Sequence, residues 1–580
     1  MRIVATAGHV DHGKSALVRT LTGMEPDRLA EERRRGLTVD LGFVWTELPT
    51  AGYVAFVDVP GHVDFVRNML AGLAVVQSCL LVVDAREGWR PQTEEHLRFL
   101  ELAGITHGLT VITKRSLVDH AQYRDVAAEV RLRLAGSFLQ DKPVIACDAF
   151  TNLGIDQLRA QLDIELAALP PAADKGRPRL WIDRAFTIDG IGAVITGGVA
   201  HGSVQIGDRL TIICARRSHE IRVRGLEALG SRRSALGPGS RAAVNVAGVA
   251  AQEISRGDAL IRAGDWHLAQ MIDVSLEVLD NLEHRVTNRG AYLMYVGTSE
   301  LLVQVRLLGA REFTPGSHGL ARLRLPRKLP LIPGDRYVLR DSGRAETIGG
   351  GEVLDVAPVS PISRAAPTRS VERVVREHGW IEAAELERLT GVAVPPTLGP
   401  WVASPAAVEA RRAALLLRLE HGPPGLDVAS LDEQDLAILD RCCEDGVTEV
   451  RSGIAMLVGR MAELADHPYL RALDAKAFCP PSPMEFGVEP TELAFLVRVG
   501  LVVSEGDSYF SRAAVERAGR IVAELQSAAP SGVTVAEVRT ALGTTRRYAL
   551  PLLACLDAMG LTKRVGDRRV AADRSKGIVT

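Results

Sequence analysis

The chain carries almost no net charge. Its 69 lysines and arginines face 71 acids, leaving a formal −2. Overall charge therefore does not announce a nucleic-acid partner, and any such surface must be local. Cysteine is sparse too. The seven are Cys79, Cys147, Cys214, Cys442, Cys443, Cys479 and Cys555, an odd number with no CxxC pair. That argues against a disulfide framework or a cysteine metal site. Several lie in apolar runs, as Cys79 does before Leu80-Leu81-Val82-Val83, and read as reduced, buried thiols. No apolar run reaches the roughly 20 residues of a membrane span. The opening Met1-Arg2-Ile3-Val4-Ala5-Thr6-Ala7-Gly8 reads as a strand entering a loop, not as a signal sequence. These absences predict a cytoplasmic protein without a membrane partner.

What is present is an ordinary soluble composition on a long chain. At 580 residues one core is not enough, and a prior of roughly one domain per 100–200 residues gives about four or five. Residues 1–172 alternate short apolar runs (3–7, 53–57, 80–83, 109–112, 144–146) with helical spacing, which predicts an α/β domain with a parallel sheet covered on both faces. A Pro-rich linker follows. Residues 179–262 and 267–356 are short strands between glycine turns and predict two β-barrels. Residues 368–580 read as mostly helical, with short wings, in three or four winged-helix units of which the last, about 517–574, is the clearest.

Gly8-His9-Val10-Asp11-His12-Gly13-Lys14-Ser15 fits the phosphate-loop pattern GxxxxGK[ST] and sits between a strand and a helix, the context that pattern needs. Backbone N–H groups of such a loop surround phosphates. Lys14 can reach the β- and γ-phosphates and the Ser15 hydroxyl can ligate Mg²⁺. Asp58, ending the next strand, is placed to hold that ion through a water. Thr38 offers a second hydroxyl, and the Gly61 amide can meet the γ-phosphate. Segments fastened only by phosphate and metal are switches.

With Asp58-Val59-Pro60-Gly61-His62 after a GHVDHGKS loop, the chain resembles the translational GTPases. Arg35-Gly36-Leu37-Thr38-Val39-Asp40-Leu41-Gly42-Phe43 is similar to the narrower switch signature of the selenocysteine-specific elongation factors. So are Asp27-Arg28-Leu29-Ala30-Glu31-Glu32, Asn68-Met69-Leu70-Ala71-Gly72 and Pro91-Gln92-Thr93-Glu94-Glu95-His96. The resemblance implies a ribosome-stimulated GTPase using GTP and Mg²⁺, with His62 orienting the attacking water.

The guanine-reading segments depart from that family. The pattern [NT]KxD carries an Asp that accepts from guanine N1 and N2, but here it reads Thr113-Lys114-Arg115-Ser116. Asp119 is the family's usual downstream acid. Losing the charged partner should cost roughly 1.5–3 kcal/mol, about ten- to hundredfold in affinity. Ala146-Cys147-Asp148 stands where a Ser-Ala pair is expected. The backbone N–H that reads O6 survives any side chain, and Asp148 is a candidate for the missing acceptor. The sequence predicts GTP binding with weakened base discrimination, and a gain in GTP-over-ATP preference in Ser116→Asp.

The segment from Trp181 to Asn245 resembles the second domain of elongation factor Tu and its relatives. In the selenocysteine branch an Asp-Arg pair and a later Arg surround the aminoacyl pocket, which maps here to Asp183, Arg184 and Arg241. Two guanidinium groups suit an ionised selenol and gain little from a serine hydroxyl. The other reading of these residues is a barrel salt bridge, Arg184 with Asp183. In the last winged-helix unit, Arg546 and Arg547 open a helix and Lys563, Arg564, Arg568 and Arg569 lie on the wing, while Leu550, Leu552, Leu553 and Leu556 face the core. This unit is similar to the one that binds the mRNA hairpin of a selenocysteine UGA codon; a solvated basic face is the alternative.

Together these features predict a monomeric factor that carries selenocysteinyl-tRNA to the ribosome. Two rivals remain. One is a general elongation factor. The other is an RNA-binding regulator whose nucleotide site is relaxed or vestigial, which Ser116 and Cys147 favour and Lys14, Thr38 and His62 oppose.

Overall fold

The computed structural model describes residues 1–26, 41–59, 68, 69, 72, 76–421 and 425–572. It divides into two compact units, Met1–Pro395 and Pro396–Thr580. Thr38, Gly61 and His62 lie outside the described residues.

The first unit opens with six strands, β1 (Arg2–Ala7), β2 (Gly42–Leu48), β3 (Gly52–Asp58), β4 (Ser78–Asp84), β5 (Gly108–Thr113) and β6 (Val144–Ala146). They form one sheet in the order β2-β3-β1-β4-β5-β6. All pair in parallel except the β2–β3 hairpin. Period-two alternation sends successive residues of β4 to opposite faces. Leu80 and Val82 join Leu17, Val18 and Leu21 of the helix Lys14–Thr22 and Leu158 and Leu162 of Ile155–Ala167. Leu81 and Val83 join Leu97 and Leu100 of Pro91–Leu102 and Val130 and Leu134 of His120–Leu134. With both faces covered, the central strands are continuous apolar runs. The antiparallel edge strand β2 was not predicted: its half-buried, alternating pattern lacks such a run.

Two closed six-stranded barrels follow. Arg209–Ile213, Ala259–Ile261, Arg179–Ile188, Gly192–Ala200, Ser240–Ala247 and Ser218–Ala228 pair in that order, and the last returns to the first. The second barrel runs Leu268–Val278, His318–Pro330, Ser299–Leu308, Tyr292–Val296, Arg336–Asp341 and Glu346–Asp355. Arg179 of the first barrel grips Asp335 of the second with two parallel bonds of 2.7 and 2.6 Å. Burial would raise the Asp335 carboxyl, but the Arg179 guanidinium holds it below the usual range. Breaking such a buried pair typically costs about 3–5 kcal/mol. The helices Val371–His378 and Ala383–Thr390 belong to this unit rather than to the helical tail. Arg373 pairs with Asp355 at 2.8 Å, and Arg177 donates to the Glu387 carbonyl at 2.9 Å.

The second unit repeats a helix–helix–hairpin pattern three times among the described residues. The hairpins are Thr448–Arg451 with Ile454–Leu457, Val502–Glu505 with Ser508–Ser511, and Thr562–Val565 with Arg568–Ala571. The last hairpin extends to a three-stranded wing through Val533–Thr534.

Candidate functional site

The phosphate loop turns in left-handed backbone at Gly8 (φ 129°), Asp11 (φ 61°) and Gly13 (φ 85°). A side chain at Gly8 would place its Cβ 2.2 Å from the Val82 carbonyl oxygen, so only glycine lets the loop lie on β4. Lys14 is 7% exposed and donates to the carbonyls of Gly8 (3.0 Å) and His9 (2.8 Å). Burial pulls its ammonium down to about 8, against the carboxylates of Asp58 and Asp11. His12 turns inward instead, its Nδ1 3.3 Å from the Val82 carbonyl. Two supports were not predicted as site residues. The Gly8 N–H donates to Nδ1 of buried His96 at 2.9 Å, and the Val10 N–H reaches Gln92 Oε1 at 3.4 Å. The acceptor role of His96 Nδ1 leaves any ring proton on Nε2.

Ser15 Oγ donates to Asp58 Oδ2 at 2.6 Å, and Thr6 Oγ1 to Asp58 Oδ1 at 2.6 Å. Asp58 is fully buried. A carboxylate and a hydroxyl meeting beside the phosphate loop are the hard oxygen donors that Mg²⁺ takes, so these residues fit the ion.

The base segment is moored to the same loop. Thr113 Oγ1 donates to the His12 carbonyl at 2.7 Å. Lys114, at φ 54°, spans from Asp84 Oδ2 (2.6 Å) to the Asp11 carbonyl (2.5 Å). Asp84 was another support that sequence reading missed. Asp119 caps the helix His120–Leu134 by accepting from the Gln122 N–H at 2.8 Å, so it is no substitute base reader. Cys147 is corrected as a base contact. Its side chain is fully buried in the sheet core, and burial pushes its thiol up to about 12. Its N–H is given to the Ile112 carbonyl at 2.9 Å, and the Asp148 N–H to the Leu153 carbonyl at 2.8 Å. Ala149 carries the next N–H of that loop. Ser116 hydrogen-bonds the Asp148 carboxylate.

On the first barrel, Asp183 pairs with Arg241, not with Arg184. Arg241 Nη2 lies 2.9 and 2.8 Å from the two carboxylate oxygens, and Thr196 Oγ1 donates at 2.5 Å. Arg184 donates to the Leu41 carbonyl at 2.9 Å. Both guanidinium groups approach the Phe43 ring, at 3.5 Å for Arg241 and 5.9 Å for Arg184. They line a cleft of about 670 Å³ with Phe43 and Trp45 of β2 and Phe186 and Asn245 of the barrel. Of the three residues singled out from sequence, Arg184 and Arg241 thus line one cleft, and Asp183 is tied to it through Arg241.

In the last winged helix, Arg546, Arg547, Lys563, Arg564 and Arg568 are exposed. Arg569 is not: it is 6% exposed and its Nε donates to Asp557 at 3.2 Å. It ties the wing to the helix Arg546–Ala558 and is unavailable to RNA. Leu552, Leu553 and Leu556 are buried as predicted, whereas Leu550 is 39% exposed. Among the described residues no group of three or more His, Cys, Asp or Glu side chains could hold a metal, and no helix is long and apolar enough to cross a membrane.

Residues 1–168 match the elongation factor Tu GTP binding domain. Residues 270–360 match the beta-barrel domain of selenocysteine-specific elongation factor, and residues 526–571 the winged helix of elongation factor SelB. The selenocysteine-specific elongation factor of Escherichia coli (strain K12) is 28% identical, over 98% of this chain and 99% of its own length. A crystal structure of bacterial selenocysteine-specific elongation factor EF-Sec is similar with a TM-score of 0.75 and 25% identity, covering 99% of this chain and 100% of that one. The selenocysteine-specific elongation factor of Desulfomicrobium baculatum is 30% identical, over 98% of this chain and 99% of its own length. Kinship that runs unbroken from the phosphate loop through both barrels to the final wing makes this chain a translational GTPase, and it belongs to the selenocysteine-specific elongation factor family.

Proposed function

We propose that this protein delivers selenocysteinyl-tRNA to the ribosome, in the cytoplasm, at UGA codons marked by an mRNA hairpin. The observation that carries this reading is the convergence of Arg184 and Arg241 on one cleft beside Phe43. A selenol is ionised near neutral pH and a serine hydroxyl is not. Two guanidinium groups therefore favour the selenocysteinyl ester over its seryl precursor. Asp183 offsets one of these charges.

The division of labour follows the sequence: residues 1–172 bind and hydrolyse GTP, 179–262 hold the aminoacyl end, 267–356 support the tRNA, and the tail reads RNA. Lys14 meets the β- and γ-phosphates. Ser15 and Thr38, with Asp58 through a water, would hold Mg²⁺, whose charge neutralises the phosphates when bound. The Gly61 N–H senses the γ-phosphate, and His62 orients the attacking water once the ribosome places it. Arg546, Arg547, Lys563, Arg564 and Arg568 contact the hairpin. Tethering beside the codon raises the local concentration of the carried tRNA.

The test is recovery of aminoacyl-tRNA on the purified protein in its GTP state. Selenocysteinyl-tRNA should be retained at least tenfold better than seryl-tRNA, and Arg241→Ala should erase most of that margin. Comparable recovery of both would remove the assignment. Ser116 favours one other reading, an RNA-binding regulator with a vestigial nucleotide site; ribosome-stimulated GTP hydrolysis separates the two.

A further inference from the structure

The residue that breaks the guanine signature has a partner in the other base segment. Ser116 Oγ donates to Asp148 Oδ2, and the Arg115 N–H donates to the Cys147 carbonyl at 3.1 Å, so the two segments are joined by side chain and main chain. Asp148 is 2% exposed. Its other oxygen accepts from the N–H groups of Phe150 (2.9 Å) and Thr151 (3.1 Å). Ser116 is exposed. The family pattern places a carboxylate in the first segment and a hydroxyl in the second. Here the hydroxyl is in the first and the carboxylate in the second, and the two are hydrogen-bonded.

We propose that Ser116 and Asp148 act as one inverted base-reading pair that preserves guanine preference, with Ser116 Oγ as the acceptor facing the base and buried Asp148 as the residue that makes it one. A serine hydroxyl with a free rotor both donates and accepts, so it would meet the N1 acceptor of adenine as readily as the N1–H of guanine. Once its single proton is committed inward, only lone pairs face outward. Guanine presents two kinds of donor at that edge, N1–H and the exocyclic amine. Adenine presents an acceptor at N1, and xanthine replaces the amine with a carbonyl. A hydroxyl polarised by a carboxylate is also a stronger acceptor than one bonded to water. Burial works to raise the Asp148 carboxyl, yet the bonds from Ser116 and from the Thr151 and Phe150 N–H groups hold it below the usual range. The pair therefore stays ionised in the conditions where the factor works. Thr113 and Lys114, fastened to the phosphate loop, fix where Ser116 stands relative to a bound nucleotide.

This deepens the GTPase reading and rests on it. It also reverses the expectation for Ser116→Asp: a second carboxylate would be set against Asp148, and GDP binding should weaken rather than improve. The experiment is equilibrium binding of GDP, XDP and ADP to the full-length protein. Wild type should prefer GDP to both others by at least tenfold. Asp148→Asn keeps an oxygen for the Phe150 and Thr151 N–H groups, so the turn survives, but its amide can donate to Ser116 and release the serine proton. Its GDP-to-XDP ratio should fall about tenfold, as should that of Ser116→Ala. The exchange variant Ser116→Asp/Asp148→Ser, which restores the family order, should keep the preference. Wild-type ratios in Asp148→Asn, or a lost preference in the exchange variant, would overturn the proposal. Equal binding of all three nucleotides to wild type would overturn it and leave tRNA delivery standing. Failure to bind any guanine nucleotide would sink the GTPase reading as well.

Discussion

Arg241 sets its guanidinium 3.5 Å from the centroid of the Phe43 ring. The two residues come from different domains: Phe43 lies on β2, and Arg241 lies on a barrel strand and is paired with the Asp183 carboxylate. The stretch that resembles the switch signature runs into β2 and includes Phe43, so under the proposed function this contact couples nucleotide state to the cleft. Cation–π contacts contribute about 0.5–2 kcal/mol. Phe43→Ala should therefore narrow the gap between aminoacyl-tRNA affinities in the GTP and GDP states by about 2- to 30-fold. Titration of labelled aminoacyl-tRNA in both states measures it; an unchanged gap would exclude Phe43 from the coupling.

Gly8→Ala tests the seat of the phosphate loop. Its Cβ would fall 2.2 Å from the Val82 carbonyl oxygen at φ 129°, so either the loop lifts off β4 or β4 shifts. Strain of this kind costs about 1–3 kcal/mol. GDP affinity should fall by about 5- to 150-fold if that strain is relieved by lifting the loop, and the melting temperature should drop. A variant that binds GDP normally would show that the loop does not depend on that close approach.

What was legible in the sequence was what a local pattern can carry. The phosphate loop is contiguous, and the buried strands are unbroken apolar runs, so both stood out. Resemblance singled out Asp183, Arg184 and Arg241, and the fold sets Arg184 and Arg241 on one cleft. What escaped depends on long-range partners. His96 is 88 positions from the glycine N–H it accepts, and nothing in Pro91-Gln92-Thr93-Glu94-Glu95-His96 marks it as a support. Arg569 looks like one more wing cation beside Arg568, yet alternation along the strand buries it against Asp557. Cys147 was miscast for a related reason. One step along the chain separates a core thiol from Asp148, and only the pairing of the loop with Leu153 fixes which residue faces Ser116.

Three histidines make the first unit acid-sensitive. Burial is the main cause in each. It lowers His12 to about 4, although the Val82 carbonyl works the other way. His96 falls to about 3, with Lys14 and His9 adding to the effect, and His201 to about 3, with Arg179 adding to it. Each value lies below the ordinary imidazole value near 6.5, so the unfolded chain binds more protons. Stability is then fully present above about pH 6.5 and is lost as pH falls toward about 4 for His12 and about 3 for His96 and His201. The loss is at most about 1.4 kcal/mol per pH unit for each group. Urea unfolding at pH 7.5, 6.5 and 5.5 should show midpoints falling below 6.5. His96→Asn, which keeps an acceptor for the Gly8 N–H, should flatten the dependence. A midpoint that holds level down to pH 5.5 would contradict the burial of these rings as neutral groups.

Lys14 predicts a pH dependence at the other end of the scale. Before nucleotide binds, burial holds its ammonium down to about 8. A phosphate tail brought against it favours the charged form and raises its pKa in the complex. Between those two values the complex carries a proton that the nucleotide-free protein has lost. Affinity for GDP should therefore be flat below about pH 8 and fall above it. The slope approaches tenfold per pH unit until the bound lysine itself titrates. Calorimetry in two buffers of different ionisation enthalpy at pH 8.5 should detect the proton taken up on binding. Arg at this position stays charged across the whole range, so Lys14→Arg should bind more weakly at pH 7, for want of matching geometry, but with no decline above pH 8. A wild-type affinity that stays constant from pH 7 to 9.5 would mean that Lys14 keeps its proton above pH 8 before the phosphates arrive, with its ammonium held by the Gly8 and His9 carbonyls.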